Sequence, residues 1–548
     1  MPTKYIFVSG GVISTLGKGV AAASIGFLLK SAGLKVTLVK CENYLNIDAG
    51  LINPIEHGDT FLCDDGTEAD MDLGTYEKIL DQNVGKVNFI TMGQIYKTVI
   101  DRERNFGYNG EDVEAMPHVT DEIIARIREA GKKEKADIVI VEFGGTAGEY
   151  QNAIYYEASR IMTLRGKESV IHIHVSYLPI PSHINEPKTK PTQLSVKMLN
   201  SMGIQPDFII ARSERPIDAR RRDRFALFCN VDPEHIIDDP DVKNYLELPI
   251  IFNKQNLTEK IEKSLELPIS HPKLLNWEKY IDKLKSFKEK TATIAIVGKY
   301  FGTGEYQLKD SYAALIDALN HAAIVKGVNL DIHFINAEAI EENGTEVIKD
   351  TDGIIVPIGW GKRGVEGKIK AIQYAREKKI PYLGLCYGMQ LAIVEFARNV
   401  LGLKNANTIE VDPKTPYPVI HLIEAQKKTL KYRAYGGTMR LGAWDCRIKT
   451  NTQAYTLYRK FGWLQDNENI VSERHRHRYE FNNEYKELFE KNGMIFSGKA
   501  VLEDLVEIIE LPKSIHPFFL ATQFHPEYKS RPLAPHPFFL AFLHSCQK

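Results

Sequence analysis

Cysteine is scarce in this chain and wrongly spaced for a disulfide framework or a structural zinc site. Six are present in 548 residues (Cys41, Cys63, Cys229, Cys386, Cys446 and Cys546), and none forms a C-x-x-C pair. That usage suits a reducing compartment, and the expected location is the cytoplasm. No apolar run is long enough to cross a bilayer, and the first residues pass into a strand-like run without a signal-peptide pattern. Neither sign of charge is in excess. Seventy Lys and Arg against 71 Asp and Glu leave a formal net charge of −1, so no global field favours nucleic acid or an anionic membrane. Internal repeats and low-complexity tracts are also missing. What is present, 43% hydrophobic and 26% charged residues, is the composition of packed globular protein, and the length requires more than one core.

The first half alternates apolar strand-like runs (4–9, 34–40, 137–143, 169–176 and 207–212) with helical segments, which predicts α/β architecture with a parallel sheet covered on both faces. Its opening run, Lys4 to Ser9, feeds the glycine-rich turn Gly10 to Gly19, after which Val20 to Lys30 reads as a helix. Strand, glycine turn, Lys18 and helix make a phosphate cradle of backbone N–H groups completed by an ammonium. The spacing departs from G-x4-G-K-[ST], and Gly19 stands where a magnesium-holding hydroxyl is usual. A plain tight turn therefore stays open as the alternative. A metal-binding carboxylate is then needed elsewhere. Glu142, ending the buried run from Asp137, is expected at the carboxyl end of its strand in the crevice of Lys18. Asp70 and Asp72 offer further carboxylates. A cap or turn is the other reading of these acids, and Mg²⁺ on nucleotide phosphate is preferred.

Pro268 and Pro272 interrupt residues 267–291, and a charged helix-like stretch follows Trp277. We expect a first domain over 1–267, a linker over 268–291 and a second α/β domain over 292–548. In the second, Pro381 to Leu385 runs as a strand into Gly384-Leu385-Cys386-Tyr387-Gly388 and then a helix. Flanking glycines permit the sharp turn that exposes a nucleophile, with the following backbone N–H serving an oxyanion. A helix N-terminus also favours thiolate. A small buried cysteine in a turn is the alternative. Gln523-Phe524-His525-Pro526-Glu527 supplies what lowers that alternative: a base beside an acid that orients it, in a Cys386–His525–Glu527 triad.

These two motifs together resemble the class I glutamine amidotransferases. The order of domains, with Lys188-Thr189-Lys190-Pro191-Thr192-Gln193, Leu227 to Val231, Gly436 to Gly442 and Glu473 to Glu480, extends the resemblance over nearly the whole chain to the CTP synthase family. The resemblance implies two doubly wound parallel-sheet domains of the P-loop-like synthetase and glutaminase types. In the family ATP phosphorylates the 4-oxygen of UTP, and ammonia from glutamine displaces the phosphate. ATP would be held by Thr15, Leu16, Gly17, Lys18, Gly19, Val20, Lys40, Asp72, Pro240, Asp241 and Val242. UTP, or CTP as inhibitor, would be held by Ser14, Glu149, Tyr150, Gln151, Lys188, Thr189, Lys190, Pro191, Thr192, Gln193 and Arg224. Asp72 and Glu142 would bind Mg²⁺. Glutamine would meet Gly359, Tyr387, Gly388, Met389, Gln390, Glu410 and Arg474, with Gly359 and Tyr387 N–H groups as the oxyanion hole. His57 would lie near the route of ammonia. The resemblance further implies GTP as an activator, through the segment Arg363 to Gly367, and a homotetramer that also builds filaments. His475 and His477 read as a structural pair rather than a metal site.

The departures cluster. The family's Ile-Asp-Pro-Tyr-Ile-Asn is here Cys41-Glu42-Asn43-Tyr44-Leu45-Asn46, its Thr-Val-Gln is Asp112-Val113-Glu114, and its Asp-Ile-Glu is Glu149-Tyr150-Gln151. Arg224 stands for Lys, and Ile358 for the first glycine of Pro-Gly-Gly-Phe. Exchanging an amide for the Glu114 carboxylate removes donors and adds charge, a change to which a hydrogen-bonding site is sensitive. Phosphate-binding groups are kept while base-facing groups are altered. UTP is the expected substrate. The alternatives are a paralogue aminating another pyrimidine nucleotide and, in a different class, a non-catalytic nucleotide-sensing filament protein.

Overall fold

The computed structural model describes every residue except 1, 14–15, 55–57, 167–168, 184, 287, 300, 304–305, 308–309, 424–425, 427–435, 465–467 and 548. Ser14, Thr15 and His57 thus lie outside the described residues. The chain divides into two compact units, Met1–Asp48 with Thr75–Ile281, and Ala49–Gly74 with Asp282–Lys548. The second is therefore discontinuous in sequence.

The first unit is built on seven parallel strands: β1 (Lys4–Gly11), β2 (Val36–Glu42), β3 (Phe89–Thr91), β4 (Ile138–Phe143), β5 (Val170–Tyr177), β6 (Phe208–Ser213) and β7 (Ile236–Pro240). They lie in the order β3-β2-β4-β1-β5-β6-β7. Nearly every residue of β1, β2 and β4 is buried, because helices cover both faces and no solvent side exists for alternation to mark. Helix α1 (Lys18–Ser31) follows β1 through Gly17, whose φ of 83° is open to glycine at no steric cost. Helix α2 (Met71–Leu80) crosses the unit boundary at Gly74–Thr75, with Asp72 in its first turn on the second unit's side. Helices α3 (Lys190–Ser201) and α4 (Ala219–Cys229) bear the basic segments.

The second unit holds a nine-stranded sheet. Its strands are β8 (Thr291–Gly298), β9 (Asn329–Asn336), β10 (Gly353–Val356), β11 (Tyr382–Leu385), β12 (Arg440–Ile448), β13 (Ile470–His477), β14 (Ile495–Ala500), β15 (Val506–Glu510) and β16 (Phe519–Thr522). The order is β9-β8-β10-β11-β16-β15-β14-β12-β13. The first five are parallel and the rest pair antiparallel. The α/β class thus holds in both units, with an antiparallel extension in the second. Helices α5 (Val365–Lys378) and α6 (Tyr387–Asn399) pack on the parallel half, and α6 starts at the end of β11. β11 and β16 are adjacent, so residues just beyond their carboxyl ends, Cys386 and His525, are brought to one place.

Candidate active site

In the first unit the turn after β1 is tightly fitted. A Cβ on Gly10 would meet the Lys18 side chain, and one on Gly11 would overlap Ser195 Oγ and crowd His174. Lys18 is buried and its Nζ donates to the Gly145 carbonyl at 2.7 Å. Leu16 is buried beneath the turn, Gly19 is buried at the start of α1, and Val20 is half-buried. Glu142 lies beside Lys40 across the β2–β4 register, and its Oε1 accepts from Lys40 Nζ at 2.7 Å. Its Oε2 accepts from Tyr76. Lys40 also stands 3.3 Å from Glu42. Lys40 thus pairs with two buried carboxylates at the carboxyl ends of β2 and β4, and Lys18 meets the turn that follows β4.

The residues at which the sequence departs from the family's pattern partly converge. Asn43 Nδ2 lies 3.4 Å from Glu149 Oε2, and Glu149 Oε1 accepts from the N–H and hydroxyl of Thr146 at 2.6 and 2.7 Å. Tyr150 and Gln151 are exposed on the next turn. Glu114 lies apart from these, lining an acidic recess with Glu111 and Asp112. A basic cavity of about 250 Å³ is lined by Lys188, Thr189, Lys190, Gln193 and Arg224, joined by Arg220, Arg221 and Phe228. Pro191 and Thr192 do not line it; Thr192 is buried and its hydroxyl accepts from Ser176. Pro240 and Asp241, at the end of β7, are held by Arg212, with Val242 half-buried next to them.

In the second unit Cys386 caps α6 with φ 51° and ψ −97°. A side chain at that φ is strained, and the neighbours explain how the turn closes. A Cβ on Gly388 would overlap the Val356 carbonyl, and one on Gly384 would press on Ala521 and the Gly388 backbone. Cys386 is 3% exposed, and its sulfur accepts from Gln523 Nε2 at 3.5 Å and lies 3.8 Å from the Arg476 carbonyl oxygen. His525 Nδ1 pairs with Glu527 Oε1 at 2.8 Å. Its Nε2 makes no hydrogen bond of regular geometry and is the nitrogen left for the thiol. Burial opposes the imidazolium, yet the charges of Glu527 and Cys386 push His525 up to about 10. The three residues form one constellation.

A cavity of about 380 Å³ opens onto Cys386 and is lined by Gly359, Trp360, Tyr387, Gln390, Glu410, His477, Arg478 and Tyr479. The Gly359 N–H has no acceptor among the described residues. Glu410 accepts from the Gly361 N–H at 2.7 Å, and burial raises its carboxyl against that bond and Lys299. Gly388 and Met389 sit behind the cavity in the first turn of α6. Arg474 is a correction. Its buried guanidinium donates to Asp64 Oδ1 at 2.6 Å and to the Leu62 carbonyl at 2.9 Å, away from the cavity, whose arginine is Arg478. Ile358 is buried in the core without a left-handed backbone, so the position does not require glycine.

Two lysines escaped the sequence reading. Lys299 Nζ donates to the carbonyls of Trp360, Gly361 and Arg363, tying down the loop after Gly359. Lys368, fully buried on α5, and Lys299 each stand 5.4 Å from the Tyr387 ring. Burial lowers Lys299 to about 8, with Arg363 adding and Glu410 opposing; burial and Lys299 take Lys368 well below the usual ammonium range. An apolar-looking helix position with a lysine carries no sequence signal of this kind. His475 and His477 face one another at 3.1 Å beside Arg440. Burial and the Arg440 charge hold both well below the usual imidazole range, as a structural pair. No group of three metal-ligating side chains occurs among the described residues.

A strained cysteine with a His–Glu pair, on the parallel half of its sheet and in one chain with a phosphate-cradling α/β unit, defines a class I glutamine amidotransferase coupled to a nucleotide-using ligase. Comparison with known proteins agrees: residues 4–267 match the model described as CTP synthase N-terminus, and residues 307–545 that of glutamine amidotransferase class-I. The chain is 48% identical to a CTP synthase of Caldanaerobacter subterraneus, over 98% of this chain and 97% of that one. It is 49% identical to that of Pyrococcus abyssi (98% and 96%) and 45% identical to that of Bacillus subtilis (99% and 98%). Among solved structures, the glutaminase domain of Trypanosoma brucei CTPS with bound acivicin is 37% identical, covering 46% of this chain and 93% of that one, with a TM-score of 0.41. The chain belongs to the CTP synthase family.

Proposed function

We infer that the chain aminates UTP to CTP, consuming ATP and drawing ammonia from glutamine. The observation that carries this is the Cys386–His525–Glu527 constellation at its own cavity, in one chain with the Lys18 turn. In the glutaminase, Cys386 thiolate attacks the glutamine carboxamide carbon. Negative charge gathers on the carbonyl oxygen, which the N–H groups of Gly359 and Tyr387 receive. The His525 imidazolium gives its proton to the departing nitrogen, so ammonia leaves and a thioester remains. Water, deprotonated by His525, then releases glutamate and restores the thiol. Gln390, Glu410 and Arg478 hold the amino-acid end, where a guanidinium suits a carboxylate.

In the synthetase, Lys18 and Lys40 with Leu16, Gly17, Gly19 and Val20 neutralise ATP phosphates, and Pro240 to Val242 approach the adenine. Lys188, Lys190, Gln193 and Arg224 take the UTP triphosphate in the basic cavity. Mg²⁺ fits the donor chemistry. Glu142 is a hard oxygen ligand beside the phosphate turn, and with Asp72 it would share the cation with nucleotide oxygens. When bound, the ion supplies charge neutralisation on the phosphates. GTP as an activator, through the segment Arg363 to Gly367, belongs to the same reading. So does a homotetramer extending to filaments, supported by the exposed apolar side chains of Leu194 and Met198 on α3 and of Leu227 and Phe228 on α4. No described helix is long and apolar enough to cross a membrane.

A second substrate reading rests on Glu149, Asn43 and Glu114, which replace base-facing groups. Incubation with ATP, Mg²⁺ and a panel of UTP, dUTP, UDP, UMP and modified uridine nucleotides, with glutamine or ammonium, separates the two. Mass spectrometry should find CTP from UTP with either nitrogen source. Amination of another nucleotide while UTP stays untouched would transfer the activity to that substrate.

A further inference from the structure

Two arginines on β13 connect the catalytic residues to a distant part of the sequence. Arg474 and Arg476, two positions apart, project to the same side of the strand. The Arg474 carbonyl accepts from the His525 N–H at 2.8 Å, and the Arg476 carbonyl lies 3.8 Å from Cys386 Sγ. Base and nucleophile thus rest on alternate peptide groups of one strand. Both guanidinium groups are buried and both run to the segment Ala49–Gly74. Arg474 Nε meets Asp64 at 2.6 Å, and its charge stacks 5.3 Å from the Phe61 ring. Arg476 Nε meets Glu68 at 2.7 Å, its Nη2 donates to the Gly50 carbonyl at 3.1 Å, and its charge lies over the Trp360 ring in the glutamine cavity.

A third connection runs through Tyr528, whose carbonyl also accepts from Arg474 Nη1 at 3.3 Å. Tyr528 stacks on the His525 ring with centroids 5.1 Å apart, donates its hydroxyl to the Thr60 carbonyl at 2.9 Å and takes the Phe61 ring edge-on. The segment itself is braced by the hairpin of Thr60–Leu62 with Glu68–Asp70 and by the Ala49 N–H on the Glu68 carbonyl. A Cβ on Gly50 would overlap the Glu68 carboxylate, so the backbone comes close to it.

We propose that the hairpin Thr60–Asp70, together with Gly50, is the clamp that sets the glutaminase triad, with Glu68 and Asp64 as positioning residues acting through Arg476 and Arg474. This rests on the glutaminase reading of Cys386. Glu68→Gln keeps the shape but removes the charge, leaving a buried guanidinium without its counter-ion and the Arg476 peptide free to shift. Small misplacements of reacting groups are costly. In the full chain, glutamine-dependent amination should lose about tenfold or more in kcat with little change in glutamine KM, and ammonia-dependent amination should stay within about twofold. Glu68→Asp, which keeps the charge, should recover part of the loss. Tyr528→Phe, which keeps the ring stack and removes the hydroxyl bond to Thr60, should move the pH profile of Cys386 alkylation by iodoacetamide.

Equal loss of both activities in Glu68→Gln, no loss of either, or an unmoved alkylation profile in Tyr528→Phe would each overturn the proposal. Cys386→Ala run alongside distinguishes the two readings. If it retains glutamine-dependent amination, the triad assignment itself is wrong; if it loses that activity while Glu68→Gln keeps it, only the clamp is wrong.

Discussion

Glu527→Gln tests the electrostatics of the triad directly. In the native protein the carboxylate lies 2.8 Å from His525 Nδ1 and, with Cys386, outweighs burial to bring the imidazole to about 10. Opposite charges about 4 Å apart at an effective dielectric near 20 attract by about 4 kcal/mol. That is close to three pKa units at 1.36 kcal/mol each, and about two remain if the amide dipole replaces part of the interaction. The alkaline limb of glutamine hydrolysis, where the imidazolium needed to protonate ammonia is lost, should therefore move from near 10 down by about two units. The amide can also present N–H to Nδ1, which selects the wrong tautomer, so kcat should fall about 10²- to 10⁴-fold even below the limb. Glutamate release followed between pH 6 and 10.5, with ammonia-dependent amination measured on the same preparation, reads both effects. A limb that stays in place would show that Glu527 does not set the His525 charge, whatever the loss of rate.

Cys386→Ala should lose glutamine-dependent amination and keep the ammonia-dependent reaction, whereas Lys18→Ala should abolish both; CTP formation with each nitrogen source checks them. Arg478→Ala should raise the glutamine KM by about 10- to 100-fold, the worth of a charge-assisted hydrogen bond. Arg474→Ala should lower stability by about 1–3 kcal/mol through its lost hydrogen bonds to Asp64, which keeps Lys529 at 3.2 Å, and to the Leu62 carbonyl, a difference that denaturant unfolding will register. Because the folded His525 is raised above its unfolded value near 6.5, its contribution to stability is fully present below that pH and fades as pH rises through about 10. The Tm of the native chain should therefore decline more steeply over that window than that of Glu527→Gln, which lacks the carboxylate that raises His525.

The triad was legible because a strand-to-helix turn around Cys386 and the adjacent His525 and Glu527 are local patterns. The long strands β1, β2, β4, β5 and β6 were legible for the same reason, as apolar runs. Short β3, at Phe89–Thr91, is too brief to signal, and β7 ends in Asp238-Asp239-Pro240, which reads as a turn. The arginine of the Cys386 cavity was misplaced because Glu473 to Tyr479 repeats arginine at every second position. Arg474, Arg476 and Arg478 share one parity, and only the end of β13 at His477 separates the last from the others. Sequence has no term for partners so remote as Asp64 and Glu68, nor for a lysine such as Lys368 buried under an aromatic ring.

The discontinuity of the second unit has a consequence in time. Asp64 and Arg474 are 410 residues apart along the chain. A ribosome adding about 5–20 residues per second exposes the carboxylate about 20–80 seconds before its arginine exists. Throughout that interval Asp64 and Glu68 face water, fully hydrated and at no cost. The cost falls later on Arg474 and Arg476, which can leave solvent only if the waiting segment is within reach. On the clamp reading, a nascent chain whose early hairpin has misfolded would leave Arg474 and Arg476 without Asp64 and Glu68 when β13 emerges.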